Sequence, residues 1–554
     1  MKHFFTLLLS TLALQASAQT APSWSSATSL AITPAFVAQP AYATDAAGNT
    51  YLAASFSGSV TLASGTTITS TGFQDGVLAK YSPTGSLLWY KQLQGSFNDS
   101  FQKVIIDASG KIMLMGTASD GAQFGTFTFN TTSFGLGSLV LAQVDDQGVV
   151  QYVREVGNGT FLTPSSLSSD AAGNYYLSGT FAGDATFGSF TINTPLTTLL
   201  IYDQFLVKMS ATGAVQWAQQ GGRIVASSAN TALPFSHLVA APSGDVYFVW
   251  AASPTVGGFG NVAMPASKGD FDALVVKYNT QGVPQWAQRV GGTGADLPTL
   301  AALDGNGRLI VPGISAPAGS LTNPGTVGAT TLTTGFATLL EPTAGTQVWS
   351  RDLQATAAGG YRNVTTDPAG NIYLVGHFSG QGTLPGKTLT SAGGLDAVVV
   401  SYTSAGALRW TQQSGGTGDE IPTNVAFDRT GRLVVPGVFN NTGIFGTTTL
   451  ISTATTANTG TPFVAYMANV ITATRAADAA PLACYPNPAA TTELLKLPIL
   501  PAGTELTLLD GLGRVAQRQA AGATLPLAGL APGFYVVQAT APSGERWASR
   551  LLVK

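Results

Sequence analysis

Short apolar runs separated by polar turn residues recur along most of the chain. In one copy the turn 367–370 precedes the apolar run 372–375, and the run 397–400 precedes a second turn and the segment 408–410. Runs of about four to eight branched and aromatic residues, bounded by Asp, Asn and Gly, are typical of β-strands joined by tight turns. Each copy therefore predicts an antiparallel meander, whose strands we name a, b, c and d.

The turn glycine between strands a and b marks the period of this pattern. It recurs at Gly48, Gly110, Gly173, Gly244, Gly307, Gly370 and Gly431, in steps of 62, 63, 71, 63, 63 and 61 residues. Strand d carries an aromatic residue with the same period, at Trp89, Tyr152, Trp217, Trp286, Trp349 and Trp410. So regular a period indicates a repeat architecture. We predict an all-β fold with a seven-bladed β-propeller over residues 19–469.

The two ends of the repeat array complement each other. The last strand c, Phe463–Met467, is followed by no Trp strand, whereas Trp24 lies 65 residues before Trp89. We therefore expect the N-terminal segment to supply strand d of a composite last blade. Such closure leaves no exposed sheet edge, whereas an open array would need capping repeats.

Two recurring side chains allow a functional and a structural interpretation. The Asp three positions before six of the seven turn glycines could belong to a ring of ligands, but an Asp at this spacing is favoured for turn formation alone. These residues are Asp45, Asp107, Asp170, Asp304, Asp367 and Asp428. The Trp residues could form sugar-stacking platforms, but we favour packing between neighbouring sheets. Alternating segments such as 124–129 and 445–450 predict an extra hairpin in some b–c connections.

Composition excludes several classes of function. Charged residues make up 10% of the chain and the net charge is −3, so no basic surface for nucleic acid is expected. Cys484 is the single cysteine, which rules out an intramolecular disulfide. The three histidines, His3, His237 and His377, show no paired metal-ligand spacing.

Residues 1–18 have the pattern of a secretory signal peptide. Lys2 precedes the apolar run 4–14, and residues 16–18 form an Ala-Ser-Ala cleavage site, so the mature chain is expected to begin near Gln19. The apolar run is too short to span a bilayer, and no later stretch predicts a transmembrane helix.

Residues 470–483 are rich in Ala and Thr and predict a linker. Residues 484–554 lack the repeat period. A hairpin over 506–515, a strand near 533–537 and a terminal strand near 550–554 predict a small β-sandwich.

The repeats resemble the SBBP family of bacterial seven-bladed propeller repeats. The matching residues are Trp286 with Gly291, Gly292, Gly294 and Asp296; Asp367, Gly370, Asn371 and Tyr373; and Asp272, Lys277 and Tyr278. Ala241, Ser138 and Phe336 depart from the pattern. The resemblance covers roughly residues 20–470 and implies a fold and an extracytoplasmic setting, without an activity.

The tail resembles the C-terminal sorting domain of the type IX (Por) secretion system. The matching motif residues are Tyr485, Pro486, Asn487, Pro488, Asp510, Gly513, Arg514, Gly533 and Tyr535. The resemblance implies export from a Gram-negative cell by the type IX secretion machinery, removal of the tail after about residue 483, and a body that is attached to the cell surface or released.

No catalytic motif is recognisable, so we expect a non-catalytic, monomeric binding module without a cofactor, whose ligand is a glycan, polymer or protein. A carboxylate-based enzyme is one alternative, and a quinoprotein-like propeller is another because the Gly-x-x-x-Trp strand loosely resembles quinoprotein repeats. A purely structural or adhesive surface component is a third. Asp99, Asp296 and Asp419, in the d–a loops, are weak candidates for a catalytic or metal site, and loop capping is the favoured interpretation.

Overall fold

The computed structural model describes most of the chain. The described residues are 21–33, 36, 40–131, 138–194, 201–225, 236–254, 262–316, 334–454, 460–468, 470, 479–498, 500–510, 515–540 and 546–554. The signal-peptide prediction lies outside them. The chain divides into two compact units, Met1–Val470 and Ile471–Lys554, which are described separately.

The first unit consists of strands. Its N-terminal third contains β1 (Trp24–Ser29), β2 (Ala31–Thr33), β3 (Ala41–Thr44), β4 (Thr50–Phe56), β5 (Ser59–Leu62), β6 (Thr67–Thr69), β7 (Asp75–Tyr81), β8 (Leu87–Gln94), β9 (Ser100–Ile106), β10 (Ile112–Ala118), β11 (Gln123–Phe124), β12 (Phe127–Thr128), β13 (Ser138–Val144) and β14 (Val150–Ser169). The middle contains β15 (Tyr175–Phe187), β16 (Phe190–Thr194), β17 (Ile201–Met209), β18 (Val215–Val225), β19 (His237–Ala240), β20 (Val246–Ala252), β21 (Asp272–Tyr278), β22 (Pro284–Val290), β23 (Ala295–Pro298), β24 (Ala302–Leu303), β25 (Leu309–Ala316), β26 (Thr334–Leu340) and β27 (Gln347–Ala355). The last third contains β28 (Gly359–Thr366), β29 (Ile372–Phe378), β30 (Gln381–Leu384), β31 (Lys387–Thr390), β32 (Asp396–Tyr402), β33 (Leu408–Gln413), β34 (Glu420–Pro422), β35 (Ala426–Phe427), β36 (Leu433–Phe439), β37 (Thr442–Phe445), β38 (Thr448–Ile451) and β39 (Thr461–Met467).

Each turn glycine belongs to one antiparallel meander in the order a, b, c, d, as the apolar runs predict. Over the described strands these meanders are β3-β4-β7-β8, β9-β10-β13-β14, β14-β15-β17-β18, β19-β20-β21-β22, β24-β25-β26-β27, β28-β29-β32-β33 and β35-β36-β39-β1. The long strand β14 serves twice, since it pairs with β13 through its first half and with β15 through its second. We call these meanders the first to the last blade.

The N-terminal strand closes the array. Strand β1 pairs with β39 from Trp24 opposite Met467 to Ser29 opposite Phe463, so the predicted composite blade is confirmed. The Tyr466 hydroxyl of this blade donates a 3.2 Å hydrogen bond to the Gly48 carbonyl of the first blade. The last blade is thereby joined to the first, and the blades form a ring.

The a strands line the inside of this ring. Contacts join β3 to β9, β9 to β14, β14 to β19, β24 to β28 and β35 to β3. Two side-chain contacts complete the circuit: His237 Nε2 lies 3.1 Å from the Ala301 carbonyl, and Asn363 Nδ2 lies 2.8 Å from Asn424 Oδ1. We call the space inside these strands the central channel.

The turn interpretation of the repeated Asp is confirmed. Asp367 Oδ1 accepts a 2.8 Å hydrogen bond from the Asn371 amide, and Oδ2 accepts one of 2.8 Å from the Tyr373 hydroxyl. Gly370 has φ +79°, which a residue with a Cβ adopts only with strain. The other turn glycines of the repeat have positive φ as well.

The Trp residues pack between blades, so the sugar-platform alternative is wrong. Trp286 is only 9% exposed, and its Nε1 donates a 3.1 Å hydrogen bond to the Pro342 carbonyl of the next blade. A Cβ at Gly345 in that c–d turn would lie 2.6 Å from the indole, so only glycine lets the ring approach. The same contact joins Trp89 to Gly148, Trp217 to Gly282 and Trp349 to Gly406.

The predicted extra hairpins are present in the b–c connections. They are formed by β11 with β12, β15 with β16, and β37 with β38, and the described residues contain two further ones, β5 with β6 and β30 with β31. Strand β11 also pairs with β8, and β30 pairs with β27. These two hairpins therefore bind the outer strand of the preceding blade and add contacts between blades.

The second unit is a small β structure with a core of its own. Its strands are β40 (Ala479–Pro481), β41 (Leu494–Lys496), β42 (Glu505–Asp510), β43 (Val515–Ala520), β44 (Thr524–Pro526), β45 (Gly533–Thr540) and β46 (Arg546–Val553). One sheet has the order β40-β46-β45-β42-β43, and β41 pairs with β44. Strand β40 lies within the segment predicted as a linker, because it adds to the sheet parallel to β46.

Candidate binding sites on the ring

The two ends of the ring differ. The short a–b and c–d turns lie at one end, which we call the turn face. The longer b–c and d–a connections lie at the other, which we call the loop face. Since strands alternate in direction, every d–a loop reaches the start of an inner strand beside the mouth of the channel.

Carboxylates at the start of the c strands hold the loops of this face. Asp396 Oδ2 accepts hydrogen bonds of 2.9 Å from the Ala392 amide and from Gln413 Nε2. Asp272 forms an ion pair with Arg289, in which Oδ2 lies 2.9 Å from the guanidinium Nη1. Both side chains are almost fully buried. These groups tie the b–c loop of a blade to its own outer strand.

Asp99 and Asp296 are buried, and Asp99 joins consecutive blades. Asp99 Oδ1 accepts hydrogen bonds of 2.6 Å from the Ser119 amide and 2.9 Å from the Ser119 hydroxyl, although Ser119 belongs to the next blade. Asp296 accepts a 2.7 Å hydrogen bond from the Gly292 amide. Burial raises the pKa of both carboxyl groups, and these hydrogen bonds oppose that shift.

Asp419 is half-buried and engaged in the same way. It accepts hydrogen bonds of 2.8 Å from the Leu395 amide and 2.9 Å from Asn440 Nδ2. Asp99, Asp296 and Asp419 thus occupy three separate loops. Within the described ranges, no group of three or more His, Cys, Asp or Glu residues is arranged to hold a metal ion.

Glu420, which no sequence motif marks, has the most strongly shifted pKa among the described carboxyl groups of the loop face. It is completely buried, and neither of its carboxylate oxygens forms a hydrogen bond of normal geometry. Burial, followed by the nearby charges of Asp396 and Asp419, raises its pKa to about 9, and the Gly416 amide opposes the shift. Because Glu420 is closed to solvent, it cannot reach a substrate as an acid.

Exposed aromatic rings lie on the loop face of the first and the third blade. Phe73, Phe97 and Phe161 are exposed by 74%, 47% and 39%, and no other phenylalanine of the described ring is exposed. Phe73 lies in the b–c connection of the first blade, Phe97 in its d–a loop, and Phe161 at the start of the third inner strand. We call Phe73 and Phe97 the aromatic patch.

The two loops that carry Phe73 and Phe97 are bound to each other. The Gln74 amide donates a 3.3 Å hydrogen bond to the Phe97 carbonyl, and the Asp99 amide donates one of 2.9 Å to the Gln74 carbonyl. A Cβ at Gly72 would lie 2.8 Å from the Phe97 carbonyl, so glycine is needed for this approach. The backbone therefore holds both aromatic residues in place.

The aromatic residues are specific to the first blade. Phe73 stands two residues before the capping Asp75, where the other blades have Asp270 and Gly394. Phe97 stands two residues before Asp99, where the other loops have Gly294 and Thr417. Propeller packing alone thus does not require an aromatic residue at either position.

A β-bulge recurs on the inner strands. In the sixth blade Tyr361 pairs with Gly376 and Asn363 with Val375, which leaves Arg362 as the extra residue. Gln102 is the extra residue of the second blade in the same way. The glycine opposite the bulge is required, since a Cβ at Gly376 would lie 2.2 Å from a backbone carbonyl. A bulge redirects the side chains next to it.

Lys103 and Arg362 are the charged residues at this level. Both are half-buried, and burial lowers the pKa of each, that of Lys103 to about 8. Neither forms an ion pair with a described carboxylate. The side chain of Arg362 makes a long contact, with Nε 3.5 Å from His377 Nδ1.

The channel histidines are structural. His237 Nδ1 lies 3.3 Å from the Ser166 hydroxyl, and Nε2 lies 3.1 Å from the Ala301 carbonyl. Burial and then the charge of Lys103 lower the pKa of His237 to about 4, so the ring is neutral near pH 7. Burial and then Arg362 lower the pKa of His377 as well.

In the second unit, the sorting-motif residues occupy strand ends and strand β45. Asn487 Oδ1 accepts a 3.0 Å hydrogen bond from the Leu552 amide, which anchors the first motif to β46. The Tyr535 hydroxyl donates a 2.8 Å hydrogen bond to the Ala531 carbonyl, and Tyr485 is 60% exposed. Asp510 ends β42. Gly513 and Arg514 lie outside the described residues.

No protein-family model matches the chain. The chain is similar to an uncharacterised WD repeat-containing protein of Acanthamoeba polyphaga mimivirus, at 19% identity over 454 residues that cover 68% of this chain and 32% of that protein. It therefore spans about a third of that relative's length.

Solved structures of several kinds are similar to the chain. The Dos1 propeller has 7% identity and a TM-score of 0.36, covering 80% of this chain and 95% of its own. An ulvan lyase has 11% identity and a TM-score of 0.38, covering 74% and 93%. A protein of unknown function from Dyadobacter fermentans has 10% identity and a TM-score of 0.35, covering 80% and 98%. Likeness at this level assigns no activity.

Over the described residues, no helix is long and apolar enough to cross a membrane. The blades share one sheet order, their inner strands touch around the whole circuit, and the N-terminal strand completes the last blade. These features make the chain a β-propeller repeat protein that carries a second, small β unit.

Proposed function

We propose that the ring is a non-catalytic binding module that holds a glycan chain on its loop face. The observation that carries this proposal is the aromatic patch of Phe73 and Phe97, whose loops are joined by backbone hydrogen bonds. Exposed apolar surface of this kind marks interaction sites in soluble proteins. A flat aromatic ring can cover the apolar face of a sugar, while the hydroxyl groups of the sugar stay hydrated or find polar partners.

The surroundings of the patch favour a sugar ligand. The loops beside it carry Gln74, Ser96 and Asn98, whose amide and hydroxyl groups can exchange hydrogen bonds with sugar hydroxyls. Only 10% of the chain is charged and the net charge is −3, which disfavours nucleic acid. The carboxylates of Asp99, Asp296 and Asp419 are occupied by groups of the fold, and Glu420 is closed to solvent, which favours binding over acid–base catalysis.

Glycan binding can be tested on an array of immobilised neutral and acidic polysaccharides. We expect the full chain to bind at least one class, and Phe73→Ala with Phe97→Ala to weaken binding by about tenfold or more, as the loss of central aromatic contacts does in other interfaces. Leu88→Ala is the matched control, since Leu88 is 51% exposed on an outer strand away from the patch. Binding that survives loss of both phenylalanines, or an array with no bound glycan, would contradict the proposal.

We further propose that the chain is exported, with residues 1–18 as signal peptide and residues 484–554 as a type IX sorting domain. The support is the sorting motif together with the separate core of the second unit, which contains Leu506, Val537 and Leu551. Deletion of residues 484–554 should retain the chain in the periplasm of a bacterium that has type IX machinery. Surface localisation without these residues would refute this role.

A further inference from the structure

We propose that a crevice at the junction of the last and the first blade binds one unit of a neutral sugar. The crevice has a volume of about 350 Å³ and lies between three segments: the end of β1, the turn between β5 and β6, and the c–d turn of the first blade. Neither residue of the aromatic patch lines it. The crevice is therefore a second site, and it does not depend on the glycan-binding surface of the proposed function.

In three other blades a hairpin glycine occupies the place that corresponds to this crevice. In the second blade the turn between β11 and β12 packs against the first residue of strand d, since a Cβ at Gly125 would lie 2.8 Å from Val150 Cγ2. The same contact joins Gly188 to Val215 in the third blade and Gly446 to Trp24 in the last blade. In these blades the hairpin turn thus covers the start of the outer strand.

The hairpin turn of the first blade is longer and leaves this place open. Residues 63–66 connect β5 to β6, whereas residues 125–126, 188–189 and 446–447 suffice in the other three hairpins. A Cβ at Gly65 would have no neighbour within 4 Å, so the glycine of this turn does not pack against Leu87, the first residue of β8. Leu87 and Ala63 instead form part of the wall of the crevice.

The last blade supplies the third wall. A Cβ at Gly85 would lie 2.3 Å from Thr28 Cγ2, so the c–d turn of the first blade packs closely on β1. Strand β2, which follows β1 in the chain, pairs with β5, with Ala31 opposite Leu62. Strand pairing and this close contact hold the walls in place without a ligand, as is usual for small-molecule sites.

The lining of the crevice is uncharged and rich in hydroxyl groups. All three walls contribute them, at Thr28, Ser29, Ser64, Thr84 and Ser86. A hydroxyl group donates one hydrogen bond and accepts two. Contacts within the protein use only part of this capacity, such as Thr84 Oγ1 at 2.8 Å from Ser82 Oγ and Ser64 Oγ at 2.9 Å from Thr66 Oγ1.

These properties select a neutral sugar unit. Its hydroxyl groups match the donors and acceptors of the walls, and the side chains of Ala63 and Leu87 can cover an apolar face of its ring. An ion would enter the crevice without a counter-charge, and a purely apolar ligand would leave hydroxyl groups without partners. The volume is near the lower end of the range of about 300–1,000 Å³ that is usual for small-molecule sites, which fits a single ring.

Saturation-transfer NMR of the full chain with neutral sugars tests the site. The first arm uses D-glucose, D-galactose and D-mannose, and the second uses the β-1,4-linked trisaccharide of each. We expect saturable transfer to at least one sugar. Tighter binding of a trisaccharide would identify the ligand as a unit of a longer chain, and equal affinity would identify it as a free sugar; either result supports the proposal.

A pair of matched variants tests the hydroxyl groups. Thr84→Val together with Ser86→Ala should weaken binding by about fivefold or more, as the loss of two hydrogen bonds of ordinary strength does. Thr212→Val is the control, because Thr212 occupies the same c–d turn position in the third blade and its hydroxyl makes the same 2.8 Å contact. There the hairpin glycine covers the start of strand d, so the affinity should change by less than about twofold.

Two further variants separate the crevice from the rest of the molecule. Ser64→Trp, at an exposed turn position, should fill the crevice and abolish binding while the melting temperature stays at the parent value. All titrations are repeated in a Phe73→Ala, Phe97→Ala background, in which the binding that remains belongs to the crevice. Absence of saturable binding in that background, or parent affinity in the folded Ser64→Trp variant, would overturn the proposal.

Discussion

The Glu420→Gln variant should be more stable than the parent protein, by a margin that grows as the pH rises. In the folded chain Glu420 holds its proton up to a pKa of about 9, whereas the ordinary value is 4.5. Between these two values the unfolded state has released a proton that the folded state keeps. The free energy of unfolding of the parent therefore falls with pH in this window, by about 1.4 kcal/mol per pH unit.

The magnitude at pH 7 follows from the same two values. The window from 4.5 to 7 amounts to roughly 3 kcal/mol of lost stability, as an order of magnitude. Gln has a similar shape and no charge at any pH, so Glu420→Gln lacks this loss. The difference in stability between variant and parent should be small near pH 4.5 and should grow steadily towards pH 9.

Urea unfolding at pH 4.5, 6, 7.5 and 9 measures this difference directly. Glu341→Gln, in a half-buried c–d turn, is the control for removal of a carboxylate elsewhere. A Glu420→Gln effect that stays constant over the four pH values would refute the reasoning, as would a parent that gains stability over the variant at high pH.

Three further predictions concern the bulge, the loop carboxylates and processing. Gly376→Ala should destabilise the ring by about 1–3 kcal/mol in urea unfolding, because the new methyl group would collide with the bulge, whereas Gly292→Ala, with open space around it, should have little effect. Calcium should not raise the melting temperature, since the d–a carboxylates are occupied; a saturable increase that Asp296→Asn abolishes would contradict this. Mass spectrometry of surface or culture material should find a chain that begins near Gln19 and lacks the tail after about residue 483, and an intact tail would count against cleavage.

The architecture could be predicted because the period is visible in single residues. Turn Asp and Gly residues have local reasons for their positions, and Trp24 identified the missing strand by its distance from Trp89. Both predictions follow from short-range chemistry and a constant repeat length, which need no knowledge of the three-dimensional structure.

The candidate sites could not be predicted in the same way. Phe73 and Phe97 belong to different loops, and only the hydrogen bonds between these loops bring them together. The glycine opposite each of these bulges was a visible signal, since Gly116, Gly179 and Gly376 each lie six residues after a turn glycine. Its meaning depends on the strand paired with it. Likewise, the sequence around Phe97 does not indicate that its side chain is exposed, because this exposure depends on the fold of the d–a loop.

Ring closure is the central claim, and the N-terminal strand tests it. Trp24 is only 5% exposed, its indole meets the Phe445 ring edge-on with centroids 5.4 Å apart, and Nε1 donates a 3.0 Å hydrogen bond to the Gln413 carbonyl. Loss of such a Trp costs about 3–5 kcal/mol, and loss of β1 also leaves an edge of β39 unpaired.

The decisive measurement is the melting temperature and association state of a chain without residues 19–32. Chain ends normally tolerate deletion. Here we predict a much lower melting temperature or aggregation, with a smaller decrease for Trp24→Phe than for Trp24→Ala. A truncated protein that stays monomeric and melts at the parent temperature would contradict the closed ring.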